Sequence, residues 1–452
     1  MTANLIATSR RRMVLGLGET GRSVLRYFKA EGIPCMAVDT RAALQHDADL
    51  RELLASVDHQ LGDLPLELVD DVEEVIASPG VAMDHPLLVR AAERGVRIRG
   101  DVDLFMEQAA APVIGITGSN GKSTVTALLG HLLDAAGVHV AVGGNLGEPA
   151  LDLLDPSVDY YVLELSSFQL ERAEPLGLEV ATILNLTPDH LDRHGTMAAY
   201  QQAKHRIFRG AHNVVSHSQD PLTMPLLAVG TRTINWRLGE PDLGEFGIRL
   251  EGGSRWFCHG FERLAPVQDF PLAGEHNLAN ALAALALGHA AGLSAAALTD
   301  GLSTFAGLPH RTMVVGQHAG VRYVDDSKAT NVGATQAALS GLAAEGRLVL
   351  LAGGQGKGQN FSPLRAPVSR SCRAVILMGE ARDELMSVLE GSVPLRTADT
   401  MDDAVALAAD VAEPGDTVLL SPACASLDQF ASYAARGRAF AVAVQHLSGG
   451  VS

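Results

Sequence analysis

At 452 residues the chain is longer than one hydrophobic core usually supports, so two or three domains are expected. A formal net charge of −17 excludes broad charge-driven binding to nucleic acid or anionic membranes, yet leaves room for anionic small molecules held by a few Lys and Arg in a cleft. Cys35, Cys258, Cys372 and Cys424 lack metal-type or redox-type spacing and read as reduced thiols.

Behind Arg10-Arg11-Arg12 the apolar stretch runs only from Met13 to Leu17 before glycines interrupt it, too short for a signal-peptide core. No run elsewhere is long enough to span a membrane, so a cytoplasmic location is expected. Residues 13–17 (MVLGL) predict a buried strand. A helix follows with Val24, Leu25 and Phe28 on one face, then a strand at 33–38 (IPCMAV). Further βα signals are EEVIAS (73–78), a helix around HPLLVRAAERG, and VRIRG. Glu107 to Pro112 reads as a linker, which sets a first domain at 1–110.

The second block opens with PVIGIT (112–117), a glycine-rich loop and a helix carrying Val125, Leu128, Leu129, Leu132 and Leu133, with Gly137 as its stop. VDYYVLEL (158–165) and VATILNL (180–186) continue the parallel pattern. Between Asn213 and Asp269 short runs and turns such as Glu251-Gly252-Gly253-Ser254 predict an antiparallel insertion. An alanine-rich helix from Asn277 to about Gly292 closes a central domain at 111–307. In the remainder, 308–452, the strands VRYVDDS, RLVLLAGG, RAVILMG and DTVLLSPA alternate with helices such as MDDAVALAADVA. The fold class is α/β, with parallel sheets whose ligands sit at the carboxyl ends of strands.

Every chemistry-bearing motif falls at such an end. Gly118-Ser119-Asn120-Gly121-Lys122-Ser123-Thr124 is a phosphate-gripping loop: backbone N–H groups at a helix start cradle anions, Lys122 reaches the outer phosphates, and Ser123 offers a hydroxyl to Mg²⁺. The general motif has glycine where this chain has Ile116, so the loop is a variant. Glu164 ends a neighbouring strand, where a Mg²⁺ ligand is needed. Thr187 to His194 packs Asp and His residues at another strand end and can bind metal. Lys204, in the helix 197–208, reads by spacing alone as an exposed surface lysine. Gly16-x-Gly18-x-x-Gly21 with Asp39 matches a dinucleotide fingerprint, which keeps an NAD-dependent oxidoreductase in play. Asn277 and Asn280 share a helix face, as caps or as readers of an adenine edge. Three polar loops, at 325–331, 353–358 and 421–426, end three strands and suggest one binding face.

The ordered set ITGSNGKST, GGNLG, ELSSFQL, NLTPDHLDRH, AKHRIF, GEHNLANALAA, PHR, DDSKATN and SPACASLDQF resembles the Mur ligases, ATP-dependent amide-forming enzymes of peptidoglycan precursor synthesis. Within that family, SPACASLDQF and DSKATN most resemble the members that add D-glutamate to UDP-N-acetylmuramoyl-L-alanine. The resemblance implies an N-terminal Rossmann-like domain for the UDP group, a central P-loop ATPase with a parallel sheet and a small antiparallel part, and a C-terminal Rossmann-like domain for the amino acid. It assigns Gly118 to Thr124, Asn277, Asn280, Arg311 and Asp326 to ATP. It assigns Ser123, Glu164, His190 and a carbamylated Lys204 to two Mg²⁺ ions, with Lys122, Lys204 and His190 as the catalytic set. Gly18, Thr20, Gly21, Asp39, Thr40, Arg41, Ser78, Gly80, Asn145 and Gln169 would hold the UDP-substrate. Lys328, Thr330, Lys357, Ser426, Leu427 and Tyr433 would grip the incoming glutamate. Gln355 and Asn360 stand where the family pattern has acidic residues. A monomer is expected. The alternatives are a ligase of the same superfamily adding a different residue or resembling folylpolyglutamate synthase, the oxidoreductase, and a nucleotide-gated binding protein.

Overall fold

Three sheets, each with helices packed against it, carry the chain; the computed structural model describes residues 11–227, 230–272, 274–343 and 346–449. In the first sheet the order is Asp58–Leu61, Cys35–Asp39, Arg11–Leu15, Val72–Ala77, Arg97–Arg99, with every pairing parallel. Leu15 is level with both Val38 and Ala77, so the loops leaving the central strands emerge side by side. Strand order reverses at Arg11–Leu15, and a crevice opens there between the loops after Leu15 and Ala77. Gly21 permits this geometry. A Cβ at that position would stand 1.9 Å from the Gly16 carbonyl oxygen, so only glycine lets the helix Glu19–Ala30 pack this closely.

The second sheet has nine strands in the order Glu262–Pro266, Ser254–His259, Phe246–Glu251, Arg232–Trp236, Asn213–His217, Val180–Ile183, Val113–Thr117, Tyr160–Glu164, Val140–Gly144. The expected antiparallel insertion over 213–269 is narrower than predicted. Asn213–His217 pairs parallel with Val180–Ile183 and with Arg232–Trp236, and only Phe246–Glu251, Ser254–His259 and Glu262–Pro266 run antiparallel. Val214 and Val215 are both fully buried, the signature of a parallel strand covered on two faces, whereas the Gly252-Gly253 turn joins two of the antiparallel strands. The hairpins extend the central sheet and do not stand apart from it.

The third sheet runs Met313–His318, Val321–Asp325, Thr417–Leu420, Leu348–Gly353, Cys372–Met378, Leu395–Thr397, parallel except at its first pair. The antiparallel edge strand Met313–His318 gave little signal because none of its residues is buried. Along the chain, the helix Asp101–Gln108 lies between the first and second sheets and the helix Ala295–Leu302 between the second and third. Among the described residues no helix is long and apolar enough to cross a membrane.

The first two units are joined by a buried guanidinium. The Arg172 side chain has no exposed surface; its Nη1 donates to the Ala77 and Ser78 carbonyls at 3.0 Å each, and its Nη2 to the Val81 carbonyl at 2.7 Å. Arg193 reaches the same Val81 carbonyl at 2.8 Å, so two central-unit arginines hold the loop after Ala77. Beside them Gln169 Nε2 donates to Asp101 Oδ2 at 3.2 Å, while Asp101 Oδ1 is buried without a partner among the described residues. Burial pushes the Asp101 carboxyl up to about 6, because the charged form loses its hydration. Its stabilising contribution is therefore full below the ordinary carboxyl pKa and is lost as pH rises through about 6. Asp101→Asn is expected to match wild type at pH near 4 and to exceed its unfolding free energy by ~2–3 kcal/mol near pH 8, read from urea denaturation at both pH values.

Candidate active site

The phosphate loop joins the strand Val113–Thr117 to the helix Lys122–Ala135, and its shape depends on glycine. Gly121 has φ +83°, and a Cβ there would lie 2.3 Å from Asn280 Oδ1, which is how closely the helix Glu275–Ala290 approaches the loop. Ile116 is fully buried within its strand, at the position where the general motif has its first glycine. Lys122 folds back so that its Nζ donates to the Gly118 and Ser119 carbonyls at 2.9 and 3.0 Å. Burial lowers the Lys122 pKa, with Glu164 and Asp189 opposing. Ser123 Oγ accepts from Arg311 Nη2 at 2.8 Å. Ser119 Oγ lies 3.0 Å from the Tyr200 hydroxyl and donates to the Thr187 carbonyl at 2.9 Å, tying the loop to the segment that carries His190.

Glu164 is 2% exposed. Its Oε1 accepts from Asn145 Nδ2 at 2.8 Å, while Oε2 is buried with no hydrogen-bond partner among the described residues. Burial pushes its pKa up, but nearby Lys122, followed by the Ser123 and Asn145 side chains, outweighs that and holds it below the ordinary range. His190 sits in the left-handed region at φ +53°, its ring 4.8 Å from Phe168. Burial drives its pKa down to about 4, against the pull of Asp189, so near neutral pH the imidazole is uncharged and free to donate a lone pair. Among the described residues no three His, Cys, Asp or Glu side chains converge as a metal cage.

Lys204 departs most from the sequence reading. It is 1% exposed, not a surface lysine. Its Nζ donates to Thr117 Oγ1 at 3.1 Å and lies 4.9 Å from the Tyr200 ring centroid. Burial lowers its pKa well below the ordinary lysine value, and nearby Lys122 lowers it further. Helical spacing misled because the face of Met197–His205 bearing Tyr200, Ala203 and Lys204 is covered by the phosphate-loop strand, a long-range contact.

A cleft of about 290 Å³ gathers Ser119 to Thr124, Glu164, Asp189, His190, Asn277, Asn280, Arg311, Asp326, Lys328 and Thr330. Its apolar wall is Trp236, Leu272, Leu308 and three alanines of the helix Val332–Leu342. Asp326 is pushed up to about 7 by burial, although Ser421 Oγ donates to it at 2.8 Å. Lys328 Nζ lies 3.8 Å from the Tyr433 ring centroid, and burial lowers its pKa to about 8. Lys357, Ser426, Leu427 and Tyr433 do not line this cleft. Lys357 is instead paired with Asp189 at 3.1 Å, Ser426 is buried, and Leu427 is 67% exposed. Asn360 Oδ1 accepts from the Ser362 N–H, and Gln355 pairs through its backbone with Ala425, so the polar residues at these two positions serve the loop's own geometry. Behind all three loops lies Arg436, 2% exposed, whose guanidinium donates to the Ser327, Gly353, Cys424 and Ala425 carbonyls.

A second cleft of about 670 Å³ lies in the crevice of the first sheet and is lined by Gly18, Thr20, Asp39, Thr40, Arg41, Ser78, Gly80, Asn145 and Gln169. Gly21 is absent from it, serving the helix packing described above. Asp39 has no free oxygen to offer a ribose. Oδ2 accepts from Leu17 N and Arg41 Nη2 at 2.7 Å each, and Oδ1 from Arg41 N and Nε at 2.8 and 2.9 Å. That removes the feature on which the NAD reading rested. Asn145 lines both clefts, so they meet at one residue. His85, whose Nδ1 accepts from Leu87 N while its ring borders the second cleft, carried no sequence signal beyond its place before a proline.

Residues 10–100 match the Mur ligase MurD-like N-terminal domain, 116–288 the Mur ligase middle domain and 310–424 the Mur ligase glutamate ligase domain. The chain belongs to the Mur ligase family. This Mur ligase is 51% identical over 447 residues to a UDP-N-acetylmuramoylalanine--D-glutamate ligase of Pseudomonas aeruginosa, covering 98% of this chain and 100% of that one. It is 46% identical to one of the same name from Nitrosococcus oceani, covering 96% of each chain. Among solved structures it shares its fold with UDP-N-acetylmuramate-alanine ligase MurC of Thermotoga maritima (TM-score 0.61, 18% identity, 97% of this chain and 99% of that one). A second structural match is the MurF ligase of the same organism in complex with ADP (TM-score 0.61, 18% identity, 97% and 98%). In this Mur ligase, Lys122→Ala is expected to abolish ATP-dependent turnover while leaving the fold intact; near-normal phosphate release would overturn the phosphate-loop assignment.

Proposed function

We infer that this Mur ligase joins D-glutamate to UDP-N-acetylmuramoyl-L-alanine, converting ATP to ADP and phosphate, as a cytoplasmic, monomeric step of peptidoglycan precursor synthesis. Near-full-length identity of 46–51% to ligases of that name supports the substrates. The geometric observation that carries the chemistry is the meeting of the two clefts at Asn145, beside Glu164 and the phosphate loop. A UDP group seated in the first sheet's crevice would direct the far, carboxylate end of its substituent through that junction toward the γ-phosphate.

The L-alanyl carboxylate oxygen attacks the γ-phosphorus, the bond to the ADP oxygen breaks, and an acyl phosphate forms. Lys122, turned onto its own loop without substrate, would swing to the transferring phosphoryl group, and Arg311 would share the charge. The neutral glutamate amine then attacks the acyl carbon, phosphate leaves with the C–O electron pair, and the nitrogen gives up one proton to the departing phosphate or to water. Lys328 and Lys357 have the charge to orient the glutamate carboxylates, once Lys357 exchanges Asp189 for substrate. Burial of the site keeps water from the acyl phosphate.

The donor set fits Mg²⁺, which takes few protein ligands and completes its shell with phosphate oxygens and water. The buried, unpartnered Oε2 of Glu164, the Ser123 hydroxyl and the neutral His190 are its candidate holders. When bound, two such ions would neutralise the charge of the converging phosphate and carboxylate groups. Lys204 fits carbamylation: a buried amine held neutral can add CO₂, its nitrogen losing a proton as the N–C bond forms, and the carbamate would face the same site.

Lys204→Ala is expected to be nearly inactive and partly rescued by short carboxylates in a phosphate-release assay with UDP-N-acetylmuramoyl-L-alanine and D-glutamate. Full activity without rescue would return this residue to a structural role. Phosphate release that does not require both substrates would overturn the functional reading itself.

A further inference from the structure

The C-terminal unit touches the phosphate loop through one side chain that the sequence motifs left without a role. Asn331 is 3% exposed, and its side chain makes three hydrogen bonds, donating both amide hydrogens and accepting once at oxygen. Its Oδ1 accepts from Ala334 N at 2.9 Å, capping the helix Val332–Leu342. Its Nδ2 donates to Asn120 Oδ1 at 3.0 Å in the phosphate loop and to Asp189 Oδ2 at 3.1 Å beside His190. The amide orientation is fixed by this set, because a flipped amide would aim two N–H donors at the Ala334 N–H. Each partner is itself anchored. Asn120 N accepts its place from Asn185, donating to Asn185 Oδ1 at 2.9 Å, and Asp189 Oδ1 receives Lys357 at 3.1 Å. The approach is close: a Cβ on Gly333 would stand 3.2 Å from both Asn120 Nδ2 and Thr187 Oγ1.

We propose that the Asn331 carboxamide is a positioning residue that locks the C-terminal unit onto the phosphate loop and Asp189, aligning the amine-donor half of the site with the phosphoryl-transfer half. This rests on the ligase reading given above. Asn331 borders the cleft that holds the phosphate loop, and in this role it acts through Asn120, Asp189 and Lys357. The cap and the lock use opposite ends of the amide, which makes them separable. Aspartate and serine both serve as helix N-caps, so either substitution preserves the bond to Ala334 N. Neither can donate as the amide does: Asn331→Asp sets a carboxylate against that of Asp189, and Asn331→Ser is too short to span the junction.

The test compares wild type, Asn331→Asp and Asn331→Ser in the full chain. Asn331→Ser, which keeps the cap and adds no charge, is expected to melt within about 2 °C of wild type, whereas Asn331→Asp, facing the Asp189 carboxylate, is expected to melt lower and is assayed well below its melting temperature. Their kcat is expected to fall roughly 10- to 100-fold, two buried hydrogen bonds having been lost from the catalytic arrangement. KM for UDP-N-acetylmuramoyl-L-alanine should hold, since its cleft lies in the other two units. Small-angle scattering with a non-hydrolysable ATP analogue and the UDP-substrate should show contraction in wild type that both variants lack. Wild-type kcat in either variant, or a loss of activity in Asn331→Ser that follows a matching drop in its melting temperature, would overturn the proposal. If wild type itself releases phosphate without needing both substrates, the functional reading fails; if wild type behaves and the variants match it, only the role of Asn331 fails.

Discussion

Too much buried positive charge is the constraint around which this molecule is arranged. Lys122, Lys204, Arg311 and Lys328 are each pulled below their ordinary pKa values by burial, and the ionised carboxylates facing them are chiefly Glu164 and Asp189. Asp326, at about 7, supplies only part of a charge. Buried cations without partners are costly, so the site is poised for a polyanion that repairs the imbalance. A triphosphate does so, and burial together with the neighbouring Lys122 is what lowers the Lys204 pKa. His190 obeys the same field: burial drives its pKa down and the nearby lysines lower it further, against Asp189.

Holding such a site open demands rigid loops, and the fold supplies them with arginines aimed at backbone. Arg436 joins the ends of three strands in the C-terminal sheet through four carbonyl oxygens. Burial lowers its pKa to about 10, against the pull of the nearby Asp428 and Asp325 carboxylates. The loops bearing Lys328, Lys357 and Ser426 therefore move as one body. Asn331 then sets where that body stands against the phosphate loop.

Much of this was legible in the sequence wherever the signal was local. The phosphate loop, the strand-end carboxylate Glu164 and the order of βα units are written in contiguous residues, and the sheets follow them. The burial of Lys204 was not legible by periodicity, because the strand that covers it lies 87 positions away. The Asn145 junction, the Arg172 contacts and the Asn331 bridge depend on how units dock, which no single segment records. Asp39 shows the converse: its position suggested a ribose ligand, and only the geometry of Arg41 reveals that its oxygens are already taken.

The Arg172 clamp has an evolutionary consequence. A guanidinium that reads the carbonyls of Ala77, Ser78 and Val81 is indifferent to the side chains those residues carry. The loop that borders the first sheet's cleft can therefore drift in composition, retuning the shape of that cleft, without loosening its attachment to the central unit. Selection can adjust what that loop recognises and leave untouched where it is held.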